Sequence, residues 1–116
     1  MGHEDCVFCQ VFEKKLPGKI EYEDDELAVI WDINPQAPTH LLIIPKKHVS
    51  RLSEVADEDS GLLCKMFLTA KEVAKKLKLD EQGFRLVVNE GRDAGQSIFH
   101  LHMHLLSGRR LMWPPG

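Results

Sequence analysis

Histidine occupies positions 100, 102 and 104 in the segment Gln96-Ser97-Ile98-Phe99-His100-Leu101-His102-Met103-His104-Leu105-Leu106. Side chains on a β-strand alternate between its two faces. A strand over 97–106 would put the three imidazoles on one face. It would put Phe99, Leu101, Met103 and Leu105 on the other, where they can pack beneath a helix. A row of imidazoles can bind a metal, exchange protons or attack an electrophile. The strict apolar alternation argues against a solvated face or a purification tag. The loop entering this strand, Asn89-Glu90-Gly91-Arg92-Asp93-Ala94-Gly95-Gln96-Ser97, narrows the choice. Its two glycines permit positive φ, so successive backbone N–H groups can converge on an anion. Asn89, Gln96 and Ser97 add neutral hydrogen-bond donors. Donors of this kind beside imidazoles suit a phosphate.

The elements that must hold these residues follow from periodicity. Val7, Phe8, Val11 and Phe12 recur at helical spacing and stop at Pro17-Gly18. Ile20 and Tyr22 alternate with Glu21 and Glu23 as a strand, and Asp24-Asp25 turns the chain. Leu27 to Trp31 and Leu41 to Ile44, closed by Pro45, read as further strands. Leu62, Leu63, Met66, Phe67, Ala70, Val73, Ala74 and Leu77 make one apolar stripe of a helix from about Asp59 to Lys78. Asp57 or Asp59 is its expected N-cap, and lysines fill its last turns. Cys64 falls in this stretch and reads as a small buried hydrophobe. Gly83 releases the chain into a fourth strand, Phe84 to Asn89. Strands that come in runs around one long helix predict an α+β domain with a five-stranded antiparallel sheet.

Composition sets the outer bounds. The 116 residues fit one domain over 1–116, with 1–5 expected to be flexible, and 43% are apolar, which excludes a globally disordered chain. A net charge of −3 argues against a broad nucleic-acid or membrane surface. No apolar run approaches the roughly 20 residues of a membrane helix. The start, MGHEDC, carries no export signal, and an odd count of three cysteines is poor material for disulfides. A cytoplasmic setting with reduced thiols is the expectation.

The segment His100 to Leu106 resembles the signature of the histidine triad (HIT) superfamily, in which three histidines alternate with apolar residues. Asp32-Ile33-Asn34-Pro35-Gln36-Ala37-Pro38-Thr39-His40, Ile44-Pro45-Lys46-Lys47-His48, Val87-Val88-Asn89-Glu90-Gly91, Gly95-Gln96-Ser97 and Trp113-Pro114-Pro115-Gly116 are similar to its HINT branch, the purine nucleoside phosphoramidases. The resemblance implies a HIT-like, homodimeric fold. It implies that His102 is the nucleophile toward the α-phosphorus of a nucleotide. His104 and Asn89 would hold phosphate oxygens, with Ser97 and the backbone at Gly95 and Gln96. His100 and His40 would orient the nucleophile and pass protons. Asp32 would accept both ribose hydroxyls, with Ile33 beside the sugar. Val7, Phe8, Val11 and Ile30 would wall the purine pocket for AMP, GMP and their phosphoramidates. The tail, 107–116, would lie at the dimer interface and carry Trp113 to the neighbouring subunit's site. Catalysis would need no cofactor.

Cys6 and Cys9 form a Cys-x-x-Cys pair. With His48 and His100 they would complete a Cys2His2 set suited to a closed structural zinc site. The plainer reading is two small residues on the first helix, and no thioredoxin-like pattern favours a redox pair. Lys46-Lys47 and Arg109-Arg110 read as solvated charge pairs. Two other functions fit the same residues: a dinucleoside polyphosphate hydrolase, or a nucleotide- or zinc-binding module with little catalysis.

Overall fold

The computed structural model describes residues 6–14 and 16–116. The expected flexible stretch at 1–5 lies outside the described residues. The chain runs α1 (Val7–Phe12), β1 (Ile20–Glu23), β2 (Leu27–Trp31), β3 (Thr39–Pro45), α2 (Ser60–Lys76), β4 (Phe84–Val87) and β5 (Met103–Ser107), with short 3-10 turns at Leu52–Glu54, Asp57–Asp59 and Arg92–Ala94. The five strands form one antiparallel sheet in the order β1-β2-β3-β5-β4. This is the expected α+β architecture, with one long helix and one short one. Among the described residues, no helix is long and apolar enough to cross a membrane.

Strand alternation divides the sheet into two unlike faces. Leu27, Val29, Leu41, Ile43, Met103 and Leu105 point to one face and form a core with Met66, Ala70, Val73 and Ala74 of α2. Ala28, Ile30, Leu42 and Ile44 point to the other, where they meet Cys6, Phe8 and Cys9 at α1. Seventeen residues of α2 cover the first face, while six residues of α1 cover only part of the second. A long amphipathic helix can seal a sheet, and a six-residue helix cannot, so the second face stays open enough for a site.

Several sequence expectations need correction. The last strand begins at Met103 and not at Ser97. Its neighbour explains the late start: β3 pairs with β5 from Thr39↔Ser107 to Ile43↔Met103 and ends at Pro45. Proline has no N–H to continue a ladder, and the Pro45 carbonyl is taken by the His100 ring, with His100 Nε2 at 2.7 Å. Phe99 therefore does not reach the core and is 55% exposed. At the other end β3 starts two residues earlier than expected, which brings His40 into the sheet. The fourth strand ends at Val87 and leaves Asn89 in the loop.

On α2, Cys64 is exposed and not buried. Phe67 is 56% exposed, and Thr69 is buried in its place. The covered stripe is narrower than the apolar pattern, because a helix resting on a flat sheet buries only its lowest row. Asp59 is the N-cap residue, but its side chain makes no cap bond; its carboxylate receives Lys47 Nζ at 2.6 Å. The two charge pairs are not simply solvated either. Lys46 meets Glu23 at 2.7 Å, and Arg109 Nε donates to the Gln36 carbonyl at 3.0 Å.

Candidate active site

His102 and His104 lie next to each other on the α1 face, with ring centroids 5.0 Å apart. His40, on β3, joins them diagonally across the ladder. His40 faces Leu106 and Leu42 faces His104 in the register, so the two imidazoles are offset by two positions on one face. His40 Nε2 stands 2.9 Å from His104 Nδ1. The sequence named these three residues, and the fold brings them together.

Hydrogen bonding fixes their tautomers. His102 Nδ1 lies 2.7 Å from the His100 carbonyl oxygen. A carbonyl only accepts, so Nδ1 carries the hydrogen and the lone pair sits on Nε2. The ring is buried, with Phe8 edge-on at 5.1 Å. Burial holds the His102 pKa below its ordinary 6.5, against a raising pull from that carbonyl and from Asp32. At neutral pH it is an uncharged imidazole, as a nucleophile or general base must be. The His104 pKa is pushed down to about 4, by burial first and then by the neighbouring His102 and His40. Burial also lowers His40, while Asp32 raises it.

Asp32 follows β2. Its Oδ1 accepts the Asn34 N–H at 2.8 Å, and its Oδ2 lies 3.4 Å from His40 Nε2. Asp32, His40 and His104 together could hold a metal ion. The His40 and His104 centroids, 5.2 Å apart, instead match two rings facing each other along a straight N–H···N bond. That leaves a proton and no room for an ion between them.

A cavity of about 350 Å³ opens on this face. Val7, Phe8, Val11, Ile30, Asp32 and Ile33 are among the residues that line it, Ile33 being 96% exposed. The sequence reading missed Leu16, Pro17, Gly18, Trp31, Leu42 and Ile98, which complete the lining. The lining is mostly apolar with one carboxylate at its margin, which suits a flat heteroaromatic ring attached to a hydroxylated group.

The glycine loop behaves differently from expectation. Gly91 and Gly95 do have positive φ, 83° and 80°. Their N–H groups do not converge on an open anion site. Gly95 N–H donates to Arg92 O and Gln96 N–H to Gly91 O, each at 3.0 Å. Gln96 is not an open donor: its buried side chain accepts from Gly91 N–H at 3.0 Å and donates to Ser50 O at 2.8 Å and Ile98 O at 3.1 Å. Gln96 therefore locks the loop, a role that no local signal in the sequence marks. Asn89 is half-buried just past β4, and Ser97 is exposed beyond the second glycine.

His100 does not share the row. Its ring is fully buried and meets those of His48, Phe8 and Phe12 edge-on, with centroids 4.7, 5.7 and 5.9 Å away. Because its Nε2–H is spent on Pro45 O, Nδ1 keeps the lone pair, 3.2 Å from Cys6 Sγ and 3.7 Å from Cys9 Sγ. Cys9 Sγ lies 3.5 Å from His48 Nδ1, and all four ligand atoms fall within 4.8 Å of one another. Around a tetrahedral ion with bonds of about 2.0 to 2.3 Å, neighbouring ligand atoms stand roughly 3.3 to 3.8 Å apart. The four residues therefore fit such an ion with little movement. Burial and the adjoining Cys6 push the Cys9 thiol up to about 11, so a bound cation would displace thiol protons. Trp113 is 79% exposed at the end of the chain, away from this chain's cavity lining.

The HIT domain family matches residues 13–111. A protein of Synechocystis sp. described as an uncharacterized HIT-like protein is 49% identical over 113 residues, spanning 97% of this chain and 98% of that protein. A HIT family hydrolase from Legionella pneumophila has a crystal structure with a TM-score of 0.93 and 46% identity, covering 96% of this chain and 99% of that one. A histidine triad nucleotide-binding protein from Candida albicans gives 0.80 and 32% identity, covering 94% of this chain and 82% of that one. Alike in sequence and in fold across most of its length, the chain belongs to the HIT domain family.

Proposed function

We propose that the chain is a hydrolase that cleaves the P–N bond of purine nucleoside 5′-phosphoramidates, placing it in the HINT branch. The observation that carries this reading is the His102 ring: buried, neutral, and with Nδ1–H tied to the His100 carbonyl at 2.7 Å. Its Nε2 lone pair attacks the α-phosphorus, the P–N bond breaks, and the amine leaves with a proton taken from solvent. Water then attacks the same phosphorus, breaks the P–Nε2 bond, returns a proton to solvent and releases the nucleoside monophosphate. Attack by a fixed, neutral nitrogen divides one difficult displacement into two easier ones. His104 Nε2–H and Asn89, with Ser97, supply hydrogen bonds to the phosphoryl oxygens as charge builds there. Because Gly95 and Gln96 spend their N–H groups inside the loop, their part is to shape it.

The apolar cavity takes the purine, and Asp32 at its margin accepts from the ribose hydroxyls. The exposed Trp113 and Met112 support a homodimer in which each tail covers part of the partner's site. The buried Cys6, Cys9, His48 and His100 would hold a structural zinc ion. That ion would clamp α1 to the sheet and add no step to the reaction. Three free cysteines agree with a reducing, cytoplasmic setting.

The test is turnover of adenosine 5′-phosphoramidate by the wild type and His102→Asn, beside diadenosine tri- and tetraphosphate. The variant should lose more than about a thousandfold in turnover and still bind AMP by calorimetry. Unchanged turnover in the variant overturns the nucleophile. Faster cleavage of the dinucleotides than of the phosphoramidate overturns the substrate class.

A further inference from the structure

His40 Nδ1 accepts the Gln36 N–H at 3.0 Å. Its hydrogen therefore sits on Nε2, aimed at His104 Nδ1 at 2.9 Å, with Asp32 Oδ2 beside it at 3.4 Å. His104 in turn keeps its own hydrogen on Nε2. The orientation of one backbone N–H thus decides which His104 nitrogen is a donor. If His40 adopted the other tautomer, His104 would have to donate through Nδ1. It would then present a lone pair on Nε2, which repels an anionic phosphoryl oxygen.

Gln36 belongs to the irregular connection 32–38 between β2 and β3, which the ladder holds only at its first residue, where Asp32 N–H donates to His40 O at 2.9 Å. Two bonds within the connection brace it: Asn34 N–H to Asp32 Oδ1 at 2.8 Å, and Gln36 Nε2 to Asn34 O at 3.0 Å. A third comes from the chain after β5: Arg109 Nε donates to Gln36 O at 3.0 Å. The preceding residue backs this contact. Gly108 has φ +99, and a Cβ there would lie 2.7 Å from Pro38 Cβ, so glycine lets the two segments press together. Arg109 is further steadied by its own bond to Arg110 O at 3.1 Å.

We infer that Arg109 is a positioning residue of the site: it holds the Gln36 peptide so that His40, and through it His104, is kept in the tautomer that donates from His104 Nε2. This rests on the proposed reading that His104 donates to the phosphoryl group. A guanidinium suits the task because its planar donors hold a carbonyl in a fixed direction. The contact lies at the surface, so the residue acts through the peptide and not on the substrate.

The full-length chain with ¹⁵N-labelled histidine tests this without substrate. Imidazole nitrogen shifts report the tautomers of His40 and His104 in the wild type, Arg109→Ala, Arg109→Lys and Arg110→Ala. Arg109→Ala should turn the single His40 tautomer into a mixture, and Arg109→Lys should restore it in part. Arg110→Ala, which removes the adjoining exposed cation, should match the wild type. In turnover of adenosine 5′-phosphoramidate, kcat of Arg109→Ala should fall roughly ten- to a hundredfold, as for a lost charge-assisted hydrogen bond, with KM unchanged. Wild-type tautomers in Arg109→Ala overturn the inference, as does a rise in KM alone. A wild type that does not turn over the phosphoramidate refutes the proposed function instead, and the substrate-free spectra still decide the role of Arg109.

Discussion

Acid should weaken this fold through the imidazoles, and His104 allows the size of the effect to be worked out. An exposed histidine titrates near 6.5, whereas His104 in the folded chain holds off its proton until about 4, because burial and the adjacent His102 and His40 oppose a charge there. As pH falls through 6.5 the unfolded chain takes up this proton and the folded chain does not. Between 6.5 and about 4 the unfolded state therefore binds more protons, and stability drops. The contribution is complete above 6.5 and gone once the folded ring is protonated. At about 1.4 kcal/mol per tenfold discrimination, the displacement from 6.5 to about 4 amounts to about 3 kcal/mol. The ring is partly open to solvent, and screening reduces the expected loss to about 1 to 2 kcal/mol. Urea unfolding of wild type and His104→Asn at pH 7 and pH 4.5 reads the contribution of this ring together with its coupling to His102 and His40. The stability of the wild type relative to the variant should fall by that amount on acidification. A difference that stays constant, or grows, would refute the reasoning.

Two further outcomes are expected. Elemental analysis of tag-free protein should find about one zinc per chain, lost in Cys9→Ser, with a lower melting temperature in the stripped protein; no metal in either protein removes the proposed site. Gln96→Ala deletes a buried side chain with three hydrogen bonds and should cost about 2 to 3 kcal/mol in chemical denaturation. Less than about 0.5 kcal/mol, the range of an ordinary surface change, would mean that the loop does not depend on Gln96.

Local pattern was enough for the elements whose environment is regular. The 3.6-residue stripe placed α2, and period-two alternation placed Leu101, Met103 and Leu105 in the core. The histidine spacing pointed to His102 and His104 for the same reason. The pattern failed where a residue's fate depends on a distant partner. Nothing around Ser97 to Leu101 says that the neighbouring strand runs out at Pro45, so the alternation carries the expected strand six residues too far back, through His100 to Ser97. The glycines marked the loop at 91–95 correctly, but not that Gln96 would use up its donors. Cys64 and Phe67 carry an apolar signature, and whether they are covered depends on how α2 sits on the sheet. Arg109 looked like half of a solvated pair because its acceptor is a main-chain carbonyl seventy-three positions earlier.

His100 bears on how this protein should be dissected. Its ring belongs to the cysteine-lined group, while its main-chain oxygen holds His102, the proposed nucleophile. Replacing His100 changes the ring and can shift the oxygen with it, so an inactive substitution there does not say which was needed. Cys6→Ser alters the ring's surroundings and leaves the peptide at 100 chemically intact. The two perturbations side by side separate the contribution of the side chain from that of the backbone within a single residue.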